Sequence, residues 1–225
     1  MKTRSKRYKN SLEKKSSNGS HTISNAIEIL NNFEVAKFDE SVEVSISLGV
    51  DPKQSSQAVR GTVNLPHGSG KNVKVLVFTD KPEEALSAGA DFAGLEDMIK
   101  KVKDGWVDFD VALSTTSAMK EVRSVARVLG PRGLMPTPKA GTVTDNLADA
   151  VKQVKSGRVE FKMDKTGAMS VLVGKRSFDS PKLVENTQAA LEAINASRPE
   201  GFKGKFIKRV HISSTMSPSL QIALN

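Results

Sequence analysis

Apolar and polar positions along this chain alternate with two different periods, and the change between them divides the sequence into parts. Thr22 can cap a helix with Ile23, Ala26, Ile27 and Leu30 on one face. Val42-Glu-Val-Ser-Ile-Ser-Leu48 then alternates strictly, as a strand does with one face on a core and one in water. Val59, Gly61, Val63 and Leu65 repeat the alternation until Pro66-His-Gly-Ser-Gly70 breaks it. Next, Val73-Lys-Val-Leu-Val-Phe78 is almost continuously apolar, which predicts a strand covered on both faces. Helices are expected from Glu83, over Leu95–Lys103, and from Ser117 with Val122, Val125 and Leu129 in one stripe. A strand is expected at Val107–Leu113, and a helix capped by Asp145 carries Leu147, Val151 and Val154. From Arg158 the two-residue period returns. Val159, Phe161 and Met163 form a strand, and Asp164-Lys-Thr-Gly167 reads as a hairpin turn into Met169–Val173. Ser180-Pro181 opens a long helix with Leu183, Val184, Thr187, Leu191 and Ile194, and strands follow at Phe206–Ile212 and Leu220–Leu224.

The expected architecture is therefore a domain inserted in a domain. Residues 1–65 and 158–225 form a split antiparallel α+β unit that contains both termini, and 66–157 form an inserted, Rossmann-like α/β unit with a largely parallel sheet. Two chain crossings, near Pro66 and Gly157, make a hinge. Residues 1–18 are expected to be a solvated basic arm: Lys2, Arg4, Lys6, Arg7, Lys9, Lys14 and Lys15 stand against Glu13 alone in the first fifteen.

Charge adds a direction. The net charge is +9, and a basic protein gains affinity for a polyanion by releasing condensed counterions. The insert has 13 basic and 12 acidic residues against 21 and 13 in the remainder, so a polyanion should meet the split unit. Aromatics make up only 5%, which excludes stacking on many bases, and the absence of Cys excludes disulfide, thiolate and Cys-type zinc chemistry. No apolar run approaches a membrane span, so no membrane association is expected.

Most motifs that suggest catalysis fail on inspection. His67-Gly-Ser-Gly-Lys71 lacks the Gly and the Ser/Thr of a phosphate loop, since Leu65 and Asn72 occupy those places. His21, His67 and His211 are scattered, so no metal site is expected. Glu83/Glu84 and Asp108/Asp110 read as solvated faces rather than paired catalytic carboxylates. Leu129-Gly-Pro-Arg-Gly-Leu-Met-Pro-Thr-Pro138 is either a rigid connector or a binding loop that aims Arg132 and Lys139 at phosphates. A nucleotide-binding enzyme built on the insert is the rival reading. It requires a phosphate loop directly after Phe78, where Thr79-Asp-Lys-Pro-Glu83 has no Gly and carries three charges.

Val122-Arg-Ser-Val-Ala-Arg-Val-Leu-Gly-Pro-Arg-Gly-Leu-Met-Pro136 resembles the signature of the bacterial L-one family of large-subunit ribosomal proteins. Lys37-Phe38-Asp39-Glu40, Gly49-Val-Asp-Pro52, Val59-Arg-Gly-Thr-Val63, Asp164-Lys-Thr-Gly167 and Thr215-Met216 resemble the same family, in order, and the likeness covers nearly the whole chain. It implies two domains with both termini in the first. It further implies binding to the stalk of large-subunit rRNA beside the exit site, release of deacylated tRNA, and translational repression through the messenger of the protein's own operon. No cofactor and no catalysis are implied. The chain would be a monomer when free and a ribosomal component in the cytoplasm, with an organellar ribosome as the lesser alternative. Matching RNA-binding positions are Lys37, Phe38 and Ser41, then Lys165, Thr166 and Gly167, then Thr215, Met216 and Ser217. Hydroxyls at Ser41 and Thr215 are expected to be free for 2′-OH groups and base edges, with Phe38 and Met216 as apolar contacts. The alternatives are core packing for Phe38 and a simple strand end for Thr215 and Met216. The family usually has Gly where this chain has Ser217, which puts a close backbone approach there in question.

Overall fold

The computed structural model describes residues 4–15, 19–54 and 57–224. Helices α1 (Lys6–Lys14) and α2 (Ile23–Asn31) precede strands β1 (Ser41–Leu48) and β2 (Arg60–Asn64). There follow β3 (Val75–Phe78), α3 (Pro82–Ser87), β4 (Phe92–Gly94), α4 (Glu96–Lys103), β5 (Val111–Ser114), α5 (Met119–Val122), α6 (Ala126–Leu129) and α7 (Leu147–Ser156). Last come β6 (Arg158–Lys162), β7 (Ala168–Lys175), α8 (Ser180–Ala196), β8 (Ile207–Ser214) and β9 (Leu220–Ile222). Two compact units result, Met1–Gly70 with Val159–Asn225, and Lys71–Arg158.

The split unit is a four-stranded sheet in the order β7-β1-β8-β9, antiparallel throughout, with α2 and α8 packed on it and on each other. Alternation decides which face is covered. Val42, Val44, Ile46 and Leu48 of β1 are buried with Val210 and Ile212 of β8, while Glu43 and Ser45 stay exposed. Burying a Val, Leu or Ile side chain contributes about 1.5–3 kcal/mol. The helices supply the complementary stripes: Ala26, Ile27 and Leu30 from α2, and Leu183, Ala190 and Ile194 from α8. Helix α2 is capped as expected, the Thr22 hydroxyl accepting from Asn25 N–H at 3.3 Å. A separate two-stranded ribbon joins β2 to β6, beside α8.

Buried Asn186 of α8 fastens the segment after β2. Its Nδ2 donates to Gly68 O and Val173 O at 3.0 and 2.8 Å, and its Oδ1 accepts from His67 N–H at 3.1 Å. Gly70 is required there, with φ +70 and a Cβ position that would fall 2.8 Å from Lys175 Cγ and 2.9 Å from the Phe178 ring.

The insert is a parallel sheet in the order β4-β3-β5, its central strand buried at all four positions. Three local expectations are corrected. The second strand starts at Val111 rather than Val107, because Phe109 joins Trp106 and Phe92 in an aromatic cluster and Asp110 accepts from Lys74 N–H. The helix after Ser117 is broken by a 3-10 turn at Arg123–Val125, although Val122, Val125 and Leu129 are fully buried. Asn146, not Asp145, caps α7; the Asp145 carboxylate instead accepts from the Thr116 N–H and hydroxyl.

The basic arm is also corrected in part. Residues 6–14 form a helix, because Ser5 caps it (Tyr8 N–H to Ser5 Oγ, 3.3 Å) and its residues are mostly good helix formers. Ser11 is buried, Asn10 donates to Glu34 at 2.9 Å, and Lys14 reaches Asn32 O at 3.4 Å. Arg4 lies over the Tyr8 ring at 4.4 Å. Residues 1–3 and 16–18 of the expected arm lie outside the described residues.

Candidate nucleic-acid interface

At one end of the β1/β7/β8 sheet three segments converge: the turn Val35–Ser41 leading into β1, Lys175–Ser177 at the end of β7, and Ser214–Ser217 after β8. Glu40 is the centre of this convergence. Its side chain is 1% exposed and pairs with Arg176, itself 6% exposed, at 3.5 Å. Oε1 accepts from Ala36 N–H at 2.9 Å; Oε2 accepts from Met216 N–H at 3.2 Å and from the Ser214 hydroxyl. Burial opposes the carboxylate's charge. Hydrogen bonds from Ser214, Ala36 and Met216, with the Arg176 guanidinium, outweigh it and hold the pKa below the ordinary Glu value. Arg176 also donates to the carbonyls of Leu30, Asn31, Phe33 and Glu34, which closes the C-terminal end of α2. Asp39 accepts from the Ser177 N–H and hydroxyl at 3.2 and 2.8 Å.

Apolar side chains stand in water above this base. Phe38 is 52% exposed, Val35 65% and Met216 49%, and Lys37 is exposed beside them. Core packing, the alternative for Phe38, does not occur: its backbone lies in a turn whose neighbour Glu40 takes the inward place. A cleft of about 490 Å³ opens between Val35–Glu40, Asn31, Arg176 and Ser177.

The hydroxyls are not free, contrary to expectation. Thr215 Oγ1 accepts from Ser41 N–H at 3.1 Å and donates to Ser41 O at 3.3 Å, tying the end of β8 to the start of β1. Ser41 Oγ accepts from Lys175 Nζ at 3.0 Å. Ser217 Oγ accepts from Ser214 N–H at 2.9 Å and donates to Pro218 O at 3.1 Å, which closes the turn with a bond that Gly could not make. Each of these oxygens still has a lone pair for a partner.

Lys165, Thr166 and Gly167 are not brought to this end. In the antiparallel register Ser41 faces Lys175 while Ser47 faces Ala168. The 164–167 turn is thus roughly 24 Å away, at about 3.4 Å per residue along β7. Asp164 organises it, accepting from the Thr166 N–H and hydroxyl, both at 2.7 Å, and from Ala168 N–H at 2.9 Å. The Thr166 hydroxyl, followed by the Ala168 and Thr166 amides, holds the Asp164 pKa below the ordinary Asp value. Gly167 has φ +79, Lys165 and Thr166 are exposed, and Leu48 N–H donates to Gly167 O at 2.9 Å.

Between the two ends runs the sheet face that α2 and α8 leave uncovered. Ser45 pairs in register with Ser170 and His211, its Oγ 3.2 Å from that of Ser170; Glu43 pairs with Ser213, and Ser47 with Arg209. Partial burial, then Lys15 and Arg209, lower the His211 pKa from 6.5.

Arg132 is exposed in the other unit, on a loop that carries Leu134 and Met135 against that unit's core. The side chain of Lys139 lies outside the described residues. Arg158 holds the same loop by donating to Ala140 O at 3.1 Å. The rival nucleotide site finds little support at the ends of β3 and β5. Thr116 and Ala118 N–H are taken by Asp145 and Thr115, and Lys81 N–H by Thr79, so three amides that could cradle phosphate are occupied. Among the described residues no group of acids and histidines is arranged to hold a metal ion, and no helix is long and apolar enough to cross a membrane.

Sequence reasoning placed Glu40 in a motif without a role, and it missed Arg176. The signal available was parity: Glu40 stands two residues before Val42, on the face that the alternation of β1 turns to the core, whereas Asp39 falls on the exposed face.

Residues 30–218 match the model of the ribosomal protein L1p/L10e family. The chain is 52% identical to the large ribosomal subunit protein uL1 of Kosmotoga olearia over 99% of its length and 97% of that protein's. Identity to the uL1 of Protochlamydia amoebophila is 52%, over 91% and 87% of the two chains, and to that of Thermus thermophilus 49%, over 96% of each. A match of this extent, on a split antiparallel unit with a parallel α/β insert, places this chain in the ribosomal protein L1p/L10e family.

Proposed function

We propose that this chain is a structural component of the large ribosomal subunit in the cytoplasm, that it binds the stalk region of large-subunit rRNA, and that the split unit makes the specific contacts. The observation that carries this reading is the exposure of Phe38 and Met216 on segments that meet at buried Glu40, with Lys37 alongside. A monomeric protein leaves such side chains in water at little benefit to its own stability, whereas single-stranded RNA bases offer flat apolar faces for them. Lys37, Lys175, Lys165 and Arg209 supply the phosphate contacts, and lone pairs at Ser41, Thr215 and Thr166 accept from 2′-OH groups. The uncovered sheet face connects the two ends, so a folded RNA of ordinary helical width can engage both. Aid to release of deacylated exit-site tRNA and repression through the protein's own operon messenger belong to the same reading, the messenger presenting the same RNA shape. The chain performs no catalysis and needs no cofactor.

The test is the affinity of the free, monomeric protein for a stalk rRNA fragment against an unrelated RNA of equal length. The fragment should bind at least tenfold more tightly, and Phe38→Ala with Met216→Ala should remove most of that preference. Equal affinity for the two RNAs contradicts the proposal.

A further inference from the structure

We propose that Glu40 and Arg176 are the positioning pair for RNA recognition: a buried ion pair that touches no RNA and holds the Val35–Ser41 and Ser214–Ser217 segments in the one arrangement RNA binds. The inference rests on the RNA-binding reading above and adds to it the residues that set the geometry of the surface.

Burial rules out contact with RNA, since the two side chains are 1% and 6% exposed. Burial also makes the pair a poor stability device. Removing two charges from water is costly, and a well-packed apolar pair of equal volume is often as stable or more so. An apolar pair could fill the space, but it could not serve the backbone. Glu40 satisfies the amides of Ala36 and Met216, one from each segment. Arg176 satisfies the carbonyls of Leu30, Asn31, Phe33 and Glu34, where α2 ends and the Val35–Ser41 turn begins. The backbone completes the junction, Arg176 N–H donating to Glu40 O at 2.8 Å. The β1–β8 ladder stops short of Phe38 and Met216, so beyond the Ser41–Thr215 bonds the carboxylate is what links the two segments. Lys could not replace Arg176, because a single ammonium cannot reach five acceptors arranged around a planar fork.

The charge itself is necessary. Both carboxylate oxygens face donors: Oε1 faces Ala36 N–H and the guanidinium, Oε2 faces Met216 N–H and the Ser214 hydroxyl. Glutamine has the same shape but only one acceptor oxygen. Whichever way its amide is turned, NH2 confronts N–H on one side and releases one of the two segments. Preorganisation is then lost, and RNA must order the segment as it binds.

The experiment uses the full chain with Glu40→Gln, Arg176→Lys and Ser214→Ala. Two readouts are taken: hydrogen exchange of the Ala36 and Met216 amides without RNA, and affinity for the stalk rRNA fragment beside an unrelated RNA, each across a salt series. In Glu40→Gln, protection of at least one of the two amides should drop while amides of β1 and α8 keep theirs. Affinity for the stalk fragment should fall roughly tenfold or more, with affinity for the unrelated RNA and the salt slope unchanged, because every phosphate keeps its cation. Arg176→Lys should show the same two losses, because one ammonium cannot reach the acceptors that the planar fork holds. Should Glu40→Gln fail to fold, Ser214→Ala removes one donor and keeps the ion pair; it should weaken stalk binding by a few-fold, and full affinity there overturns the proposal. Unchanged protection of both amides in a folded Glu40→Gln protein overturns the positioning role whatever the RNA result. Lost protection with undiminished stalk affinity overturns it equally. A wild-type protein without preference for the stalk fragment refutes the RNA reading itself, a result distinct from both.

Discussion

Thr215→Val separates a structural threonine from one that also serves RNA. The substitution keeps shape and β-branching and removes only the hydroxyl. In the free protein that hydroxyl accepts from Ser41 N–H at 3.1 Å and donates to Ser41 O at 3.3 Å. Ser41 O keeps its bond from Thr215 N–H at 3.0 Å, and the site is exposed, so water can replace much of what is removed. The stability cost should be about 0.5–1.5 kcal/mol. For a chain of this size that corresponds to roughly 1–6 °C in Tm. If the remaining lone pair of Oγ1 accepts from an RNA 2′-OH, valine leaves that donor unpaired in a dry contact. This should cost roughly 1–3 kcal/mol, or about fivefold to 150-fold in affinity. Calorimetry gives the first number, and titration with the stalk rRNA fragment well below Tm gives the second. The salt slope should not move, because a neutral hydrogen bond carries no counterion. Normal affinity with an early melt would show that Thr215 only ties β8 to β1, and the residue would leave the proposed interface.

Further outcomes follow from the charges and the buried polar groups. Deleting residues 1–15 should flatten the dependence of log affinity on log salt, by about 0.7–0.9 for each phosphate that α1 neutralises, and leave the preference for the stalk fragment intact; an unchanged slope would remove α1 from the interface. Asn186→Leu should destabilise the split unit by roughly 2–4 kcal/mol in denaturant unfolding, since it strands Gly68 O, Val173 O and His67 N–H; a loss under 1 kcal/mol would show that this bonding is dispensable. His211 has its pKa lowered from 6.5 by burial, Lys15 and Arg209. In the free protein the unfolded imidazole protonates first, so stability should fall as pH drops through about 6.5 and level off below the folded value. RNA phosphates on the uncovered sheet face would raise the pKa in the complex, so affinity should increase over the same interval and stay flat in His211→Gln.

Much of the fold was legible because the two periods answer to burial. Strict alternation at Val42–Leu48 became a strand with one face buried, and the continuous run at Val75–Phe78 became a strand buried at every position. Where one residue had two uses, periodicity misled. Val107 and Phe109 look like a strand, yet they join Trp106 and Phe92, and pairing begins only at Val111. Ser5 and Tyr8 turn a run of cations into a capped helix that charge counting alone reads as an arm. At the proposed interface, exposed Phe38 and Met216 and a turn at 164–167 were readable from residue type; the hairpin expected there is corrected, because β6 pairs with β2 and β7 with β1, so the turn carries the chain from one sheet to another. The roles of the hydroxyls were not readable, because Thr215 meets Ser41, and Ser41 meets Lys175, only after strands far apart in sequence pair. For the same reason the distance of roughly 24 Å between the turn and the Phe38 end depends on strand register, a long-range property that local pattern does not carry.

The most direct test of ribosomal RNA binding is the distribution of the protein in lysed cells across a sucrose gradient, for wild type and for the Phe38→Ala, Met216→Ala double variant. The wild-type chain should co-sediment with large ribosomal subunits at low and moderate salt, and the double variant, equally stable to heat, should remain largely in the free fraction. A wild-type protein found mainly free even at low salt, or a double variant that sediments with the subunit as the wild type does, would contradict the account.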